Sequence, residues 1–156
     1  LMLMTATAAG FDLQGHRGAR GLAPENTLPA FARALSIGVT TLEMDAGVTE
    51  DDVVVVIHDR RLSPDVARGP DGRWISGRTL AIRELTFKEL QRYDVGRLRP
   101  GSDYSKRFPD QRRADRVRIP ALIAACLTTC DGVRSLARRR ISSLATSSSN
   151  RPIRPA

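Results

Sequence analysis

Residues 53–57, Val-Val-Val-Val-Ile, constrain the fold more than any other part of this 156-residue chain. Five consecutive β-branched residues without polar alternation are typical of a strand that is buried on both faces. Strands of this kind occur in parallel sheets that carry helices on both sides. The run therefore predicts an α/β fold.

The sequence before this run alternates between strand and helix patterns. Residues 11–15 predict a first strand, and residues 40–45 predict a second. Between them a helix is expected to begin after Asn26 or Thr27 as N-cap and to end at Gly38. Its apolar residues recur at the spacing of a buried helix face: Leu28, Phe31, Ala32 and Leu35.

The sequence after the run is less regular. Residues 60–80 are rich in Gly, Pro, Asp and Arg and predict a long loop. Thr86 and Glu89 form a capping box, so a second helix is predicted from Thr86. A short apolar helix is expected from Ala121 to Leu127.

Two carboxylates follow each other at strand spacing. Glu43 and Asp45 are residues i and i+2 of the predicted second strand, so both would project from one face, about 6.6 Å apart. A divalent cation relieves the repulsion between two such charges, and oxygen-only ligands favour Mg²⁺ or Ca²⁺. The alternative is a pair of solvated acids with arginine partners.

The chain has two histidines, His16 and His58, and each follows a predicted strand. In barrels and doubly wound sheets the carboxyl ends of the strands converge on the ligand site. Phosphodiester cleavage needs one group that takes a proton and one that gives a proton, and imidazole titrates near neutral pH. Arg17 fits a forked clamp on phosphate oxygens, and its alternative is a salt bridge.

The net charge of +8 is confined to one end of the chain. Residues 1–111 hold 15 basic and 15 acidic side chains, whereas residues 112–156 hold 10 arginines and 2 aspartates. No aromatic residue occurs in positions 109–156, so a nucleic-acid surface is not expected there. Residues 121–156 are interpreted as a basic Ser/Arg-rich tail that is disordered or aberrant.

The N-terminal residues are the part of the sequence that predicts a cellular location. Residues 1–10 carry small residues in an A-x-A arrangement, which is interpreted as the remnant of a secretory signal. A periplasmic or secreted location is therefore predicted, with a cytoplasmic one as the alternative. No apolar run reaches about 18 residues, so no membrane span is expected.

Four short motifs follow one another in the first part of the chain: the HRG turn His16-Arg17-Gly18, Pro24-Glu25-Asn26-Thr27, Glu43-Met44-Asp45 and His58-Asp59. In their residues and their order they resemble the motifs of the glycerophosphodiester phosphodiesterase family. The combination is far more specific than any single motif. The similarity is predicted to cover residues 11–120.

The resemblance implies a TIM barrel that hydrolyses glycerophosphodiesters, small molecules of lipid and glycerol metabolism, to glycerol 3-phosphate and an alcohol. It implies His16 and His58 as acid and base, Arg17 on the phosphate, and Glu43 and Asp45 on Mg²⁺ or Ca²⁺. Glu25 and Asn26 would line the site.

The chain also departs from the family pattern. A (β/α)₈ barrel needs about 250 residues, so only about three of its strands are expected and the barrel is incomplete. A third metal-binding glutamate is expected near Pro120, yet no glutamate follows Glu89. A reading frame that changes at about Ala121 would explain both departures. Two alternatives stay open: a related phosphodiesterase of the phospholipase D type, and a catalytically inert fragment.

Overall fold

Short strands and helices are joined by long loops in this protein, for which the structure, a computed structural model, describes residues 12–130. The strands are β1 (Gln14–Gly15), β2 (Thr41–Leu42), β3 (Ala46–Val48) and β4 (Val54–Val56). The helices are α1 (Leu28–Ser36), α2 (Phe87–Leu90) and α3 (Asp103–Arg107), with a 3-10 turn at Ile82–Glu84 and a helical segment over 122–130. The predicted signal remnant, residues 1–10, lies outside this range. Of the predicted tail, residues 121–156, only residues 121–130 are described.

The first unit is a strand, a helix and a parallel strand. β1 pairs with β2 in parallel register, with Gln14 opposite Thr41, and α1 forms the crossover between them. This arrangement agrees with the predicted order of elements and is the basic unit of a parallel sheet.

Strand β4 does not extend that parallel sheet. It pairs antiparallel with β3, with Val48 opposite Val54, so the parallel pairing predicted for residues 53–57 is wrong. The reason is the link of residues 49–53 between the two strands, which is too short for the crossover that a parallel pair requires. A hairpin is what so short a link permits.

Burial of β4 on both faces is confirmed. Val55 and Val56 are both buried, and adjacent strand residues point to opposite faces. Val55 packs in a cluster with Leu62 and Ile119, whereas Val56 packs with Phe31 of α1 and Ala125. The helix that contains Ala125, residues 122–130, covers all but the first residue of the apolar helix predicted from Ala121 to Leu127.

Helix α1 is rotated from the predicted orientation. Thr27 is its N-cap and accepts a hydrogen bond from Ala30 N at 3.3 Å, as expected. Its buried residues are Ala30, Phe31 and Ala34, whereas Leu28 and Ala32 are exposed. Small side chains face inward because the loop after β1 lies against the helix backbone.

The apolar cluster that contains Val55 also holds the loop regions together. Leu62, Leu85 and Leu90 are buried in it, and α2 begins with the predicted capping box between Thr86 and Glu89. Helix α3 was not predicted. Among residues 12–130, no helix is both long and apolar enough to cross a bilayer.

Candidate active site

The turn that follows β1 sets the position of the site. Arg17 and Gly18 both have positive φ, 52° and 82°, so the chain reverses directly after the strand. A Cβ atom on Gly18 would lie 2.8 Å from the carbonyl carbon of Ala30, which leaves no room for a side chain. Glycine is therefore required here both by its conformation and by the close approach of α1.

Arg17 is the residue at which three of the sequence motifs meet. Its side chain is buried, and its Nη1 donates to Glu25 Oε1 at 2.9 Å. Its Nε lies 3.2 Å from Asp45 Oδ2, and its backbone N–H donates to Glu43 Oε2 at 2.7 Å. The HRG turn, the PENT segment and the E-x-D segment thus form one constellation, with the arginine at its centre.

Asn26 joins the PENT segment to the E-x-D segment. Its side chain donates to Asp45 Oδ2 at 2.9 Å, and its Oδ1 accepts from the Asp45 backbone N–H at 3.3 Å. Asn26 itself has φ of 55°, a left-handed conformation that asparagine tolerates better than most residues. In this turn the Asn26 backbone N–H donates to the Arg17 carbonyl oxygen at 3.0 Å.

The two predicted metal ligands lie just beyond β2 rather than within a longer strand. Glu43 still pairs its backbone N–H with Gly15 O at 3.0 Å, and the chain then turns towards β3. The carboxylates of Glu43 and Asp45 nevertheless reach the same residue, Arg17, and both side chains are partly accessible. Glu43 contacts the backbone N–H of Arg17, and Asp45 contacts its side chain.

Glu43 and Asp45 are the carboxylates that this site could offer to a divalent cation. No group of three or more His, Cys, Asp or Glu side chains is arranged to hold an ion among residues 12–130. Two carboxylates are sufficient for Mg²⁺, which usually keeps water and substrate phosphate in its other positions, whereas Ca²⁺ takes six to eight oxygens. Three carboxylates against two guanidinium groups also leave this constellation one negative charge in excess. The residues present fit Mg²⁺.

The two histidines differ in their surroundings. His58 follows β4, and its Nδ1 lies 2.7 Å from Asp59 Oδ1. It lines a cavity that it shares with Glu25 and Asn26. His16 follows β1 and is exposed, and its ring has no hydrogen bond to any residue in the described range. The structure thus connects His58, but not His16, with the PENT residues through this cavity.

Two residues at the site had no role in the sequence analysis. Asp59 belongs to the His58-Asp59 motif, but the sequence analysis gave it no role of its own. In the structure its contact with the His58 ring orients the imidazole. Its position directly after the histidine is the sequence feature that could have indicated this role. Arg20 lies 2.7 Å from Glu25 Oε2 through its Nε. Nothing in the sequence distinguished it from the other arginines.

Comparisons with known proteins identify related sequences. Residues 16–141 match the family model described as the glycerophosphoryl diester phosphodiesterase family. Glycerophosphodiester phosphodiesterase 1 of Rattus norvegicus is 38% identical over 117 residues, which cover 74% of this chain and 29% of that protein. The family match continues beyond Pro120, where the similarity was predicted to end.

Solved structures support the same fold. A glycerophosphoryl diester phosphodiesterase homologue from Silicibacter pomeroyi is 41% identical with a TM-score of 0.73, over 76% of this chain and 40% of that one. An Oleispira antarctica phosphodiesterase in complex with the product sn-glycerol-3-phosphate is 27% identical with a TM-score of 0.54, over the same shares. The predicted TIM-barrel type of α/β fold is confirmed, and the described strands form part of such a barrel. The chain spans less than half the length of these relatives.

Proposed function

Because the chain belongs to the glycerophosphoryl diester phosphodiesterase family, we propose that it acts in the metal-dependent hydrolysis of glycerophosphodiesters to sn-glycerol 3-phosphate and an alcohol. The observation that carries this proposal is the contact of Arg17 with Glu25, Glu43 and Asp45. The Oleispira antarctica relative holds sn-glycerol-3-phosphate, which supports a substrate of this class.

We assign Arg17 to the substrate phosphate. Two carboxylates, those of Glu25 and Asp45, contact different nitrogen atoms of its guanidinium group and fix its plane. Its Nη2 makes no hydrogen bond with a residue of the described range, so this amino group is free to donate to a phosphate oxygen. Guanidinium suits this task because its donors match the geometry of phosphate oxygens.

The histidines are assigned to proton transfer. Asp59 beside Nδ1 of His58 favours a proton on that nitrogen, which leaves Nε2 as the atom that exchanges a proton with the substrate or the attacking water. His16 is the second group of the acid and base pair. Hydrolysis needs both roles, because a water must lose a proton while the leaving alkoxide gains one.

Glu43 and Asp45 would hold the Mg²⁺ ion. When bound, the ion neutralises negative charge on the phosphoryl oxygens and so lowers the cost of bringing a nucleophile to them. Asn26 contributes by holding Asp45 through two hydrogen bonds: its amide nitrogen donates to the carboxylate, and its Oδ1 accepts from the Asp45 backbone N–H. The periplasmic or secreted location stays a prediction, since residues 1–10 lie outside the described range.

Removal of the metal is expected to lower activity by about tenfold or more, since the ion is one of the charges that stabilise the reacting phosphate. The measurement is the release of sn-glycerol 3-phosphate from glycerophosphocholine by the purified chain, with and without EDTA and with Mg²⁺ added back. Activity that EDTA leaves unchanged would contradict the metal assignment.

The same assay separates the alternatives when lysophosphatidylcholine is offered in parallel. Release of choline from the lysolipid, with none of the glycerophosphocholine consumed, would favour a phosphodiesterase of the phospholipase D type. No turnover of either substrate, together with a His16→Ala variant that behaves like the parent chain, would identify an inert fragment.

A further inference from the structure

Glu25 is held between two arginines. Its Oε1 accepts from Arg17 Nη1 at 2.9 Å, and its Oε2 lies 2.7 Å from Arg20 Nε. The Glu25 side chain is only 16% exposed, and its Oε2 is fully buried. A buried carboxylate oxygen requires a partner, and in this site Arg20 supplies the opposite charge.

Arg20 is itself held by two aromatic side chains, one from α3 and one from the residue that follows it. Its guanidinium carbon lies 5.0 Å from the ring centroid of Tyr104 and 5.0 Å from that of Phe108. Its Nε donates to the Tyr104 hydroxyl at 2.6 Å, across 84 residues of sequence. Stacking on two rings together with this hydrogen bond fixes the position of the guanidinium group.

The backbone around Arg20 is fixed by the same region of the chain. Gln111 Nε2 donates to the Arg20 carbonyl at 2.8 Å, and the Arg112 backbone N–H donates to Leu22 O at 3.0 Å. The segment 103–112 therefore contacts the loop between the HRG and PENT motifs through both side chains and backbone. A contiguous series of contacts runs from Tyr104 through Arg20 and Glu25 to Arg17.

We propose that Arg20 is a positioning residue for this site: it holds the Glu25 carboxylate, and through Glu25 it fixes the guanidinium of Arg17 that receives the substrate phosphate. This inference rests on the proposed function. The single N–H of Arg20 Nε is used by Tyr104, and Glu25 Oε2 has no hydrogen bond in the described residues. The charge of Arg20 is therefore what acts on Glu25.

A double-mutant cycle on Arg17 and Arg20 tests the proposal. The Arg20→Ala variant is expected to raise KM for glycerophosphocholine about 10- to 100-fold with a smaller effect on kcat, the range seen when groups behind a ligand are removed. In the Arg17→Ala background the same change is expected to have almost no further effect, because the residue it positions is absent. Independent losses that multiply in the double variant would overturn the proposal.

Two further substitutions of Arg20 separate the effect of its charge from the effect of its packing. Both keep a long side chain, so they disturb folding less than Arg20→Ala. Arg20→Lys keeps the positive charge, whereas Arg20→Gln does not, and neither keeps the planar stack on both rings. The Lys variant is expected to retain about tenfold more kcat/KM than the Gln variant. Equal activities would overturn the proposal. Lys106→Ala, an exposed charge change on α3, is the matched control and should behave like the parent chain.

Binding of sn-glycerol 3-phosphate by calorimetry gives a readout that does not depend on turnover. The full chain should bind sn-glycerol 3-phosphate, and Arg20→Gln should weaken this binding about tenfold. The midpoint of thermal unfolding should change less in Arg20→Gln than in Arg20→Ala. A full chain that binds and hydrolyses normally but is insensitive to Arg20→Gln would end this inference alone. A full chain that neither binds sn-glycerol 3-phosphate nor cleaves glycerophosphocholine would end the proposed function and this inference together.

Discussion

Replacing His58 by alanine is expected to lower kcat/KM for glycerophosphocholine by about 10²- to 10⁴-fold, the usual contribution of a general acid or base. The ring is placed for this role by β4, which ends two residues before it, and by Asp59 at its Nδ1. The only other histidine in the sequence is His16, which is assigned the second role in proton transfer. No further imidazole can therefore replace His58. Release of sn-glycerol 3-phosphate measures the loss.

The folded state should be little affected by this change. The His58 side chain is 45% exposed, and exposed positions usually alter the free energy of unfolding by less than about 0.5 kcal/mol. His58→Gln is the matched variant, because an amide of similar size can still contact Asp59 but cannot carry a proton. It should be as inactive as His58→Ala. Activity of the Gln variant close to that of the parent chain would contradict the assigned role.

Replacing Asp94 by alanine is expected to reduce the free energy of unfolding by about 3–5 kcal/mol, the cost of leaving a buried charge without its partner. Asp94 is 9% exposed and pairs with the side chain of Arg68. It also accepts from the backbone N–H groups of Gly96 at 2.9 Å and Val117 at 3.1 Å. One carboxylate therefore joins three separate parts of the chain.

Chemical denaturation of the two proteins measures this loss. Asp71→Ala is the control, because Asp71 is an exposed acid whose Oδ2 is 4.0 Å from Arg73 Nε. Its Oδ1 also accepts from the Arg73 backbone N–H at 3.0 Å. Surface ion pairs of that kind contribute between about 0 and 1 kcal/mol. If Asp94→Ala were no more destabilising than Asp71→Ala, the buried pair with Arg68 would have no structural role.

The same carboxylate makes stability depend on pH. Burial raises the pKa of Asp94, but the N–H of Gly96, the Arg68 guanidinium and the N–H of Val117 together outweigh it and hold the pKa below its usual value of 3.8. The stabilisation is therefore complete above the unfolded pKa and is lost as pH falls through the lower, folded pKa. Between about pH 6 and about pH 3, Asp94→Asn should lose less stability than the parent chain. An identical loss in both proteins would contradict this account.

Much of the site could be predicted because its residues stand close in sequence to recognisable strands. The two histidines follow strands, and the acidic pair comes directly after β2. The contacts between motifs were not predictable, because they depend on left-handed turns at Arg17 and Asn26 that fold one segment back on another. The role of Arg20 required α3, which lies more than 80 residues further along the chain.

The fold shows the same division between local and distant causes. Capping residues gave the starts of α1 and α2 correctly, since Thr27 and Thr86 act within a few residues of themselves. The buried face of α1 was misassigned because the helix packs against the loop that contains Gly18, which favours alanines over leucines. Helix α3 has five residues and none of them is buried, so it carries no apolar periodicity that could predict it.

We propose that the HRG, PENT and E-x-D segments form a single metal and phosphate site around Arg17. Anomalous scattering from crystals grown with Mn²⁺ and sn-glycerol 3-phosphate tests it directly, because Mn²⁺ prefers the same oxygen ligands as Mg²⁺. The predicted result is a Mn²⁺ peak bound by Glu43 and Asp45, with the phosphate in contact with Arg17. A Mn²⁺ ion bound elsewhere, or a phosphate that makes no contact with Arg17, would contradict it.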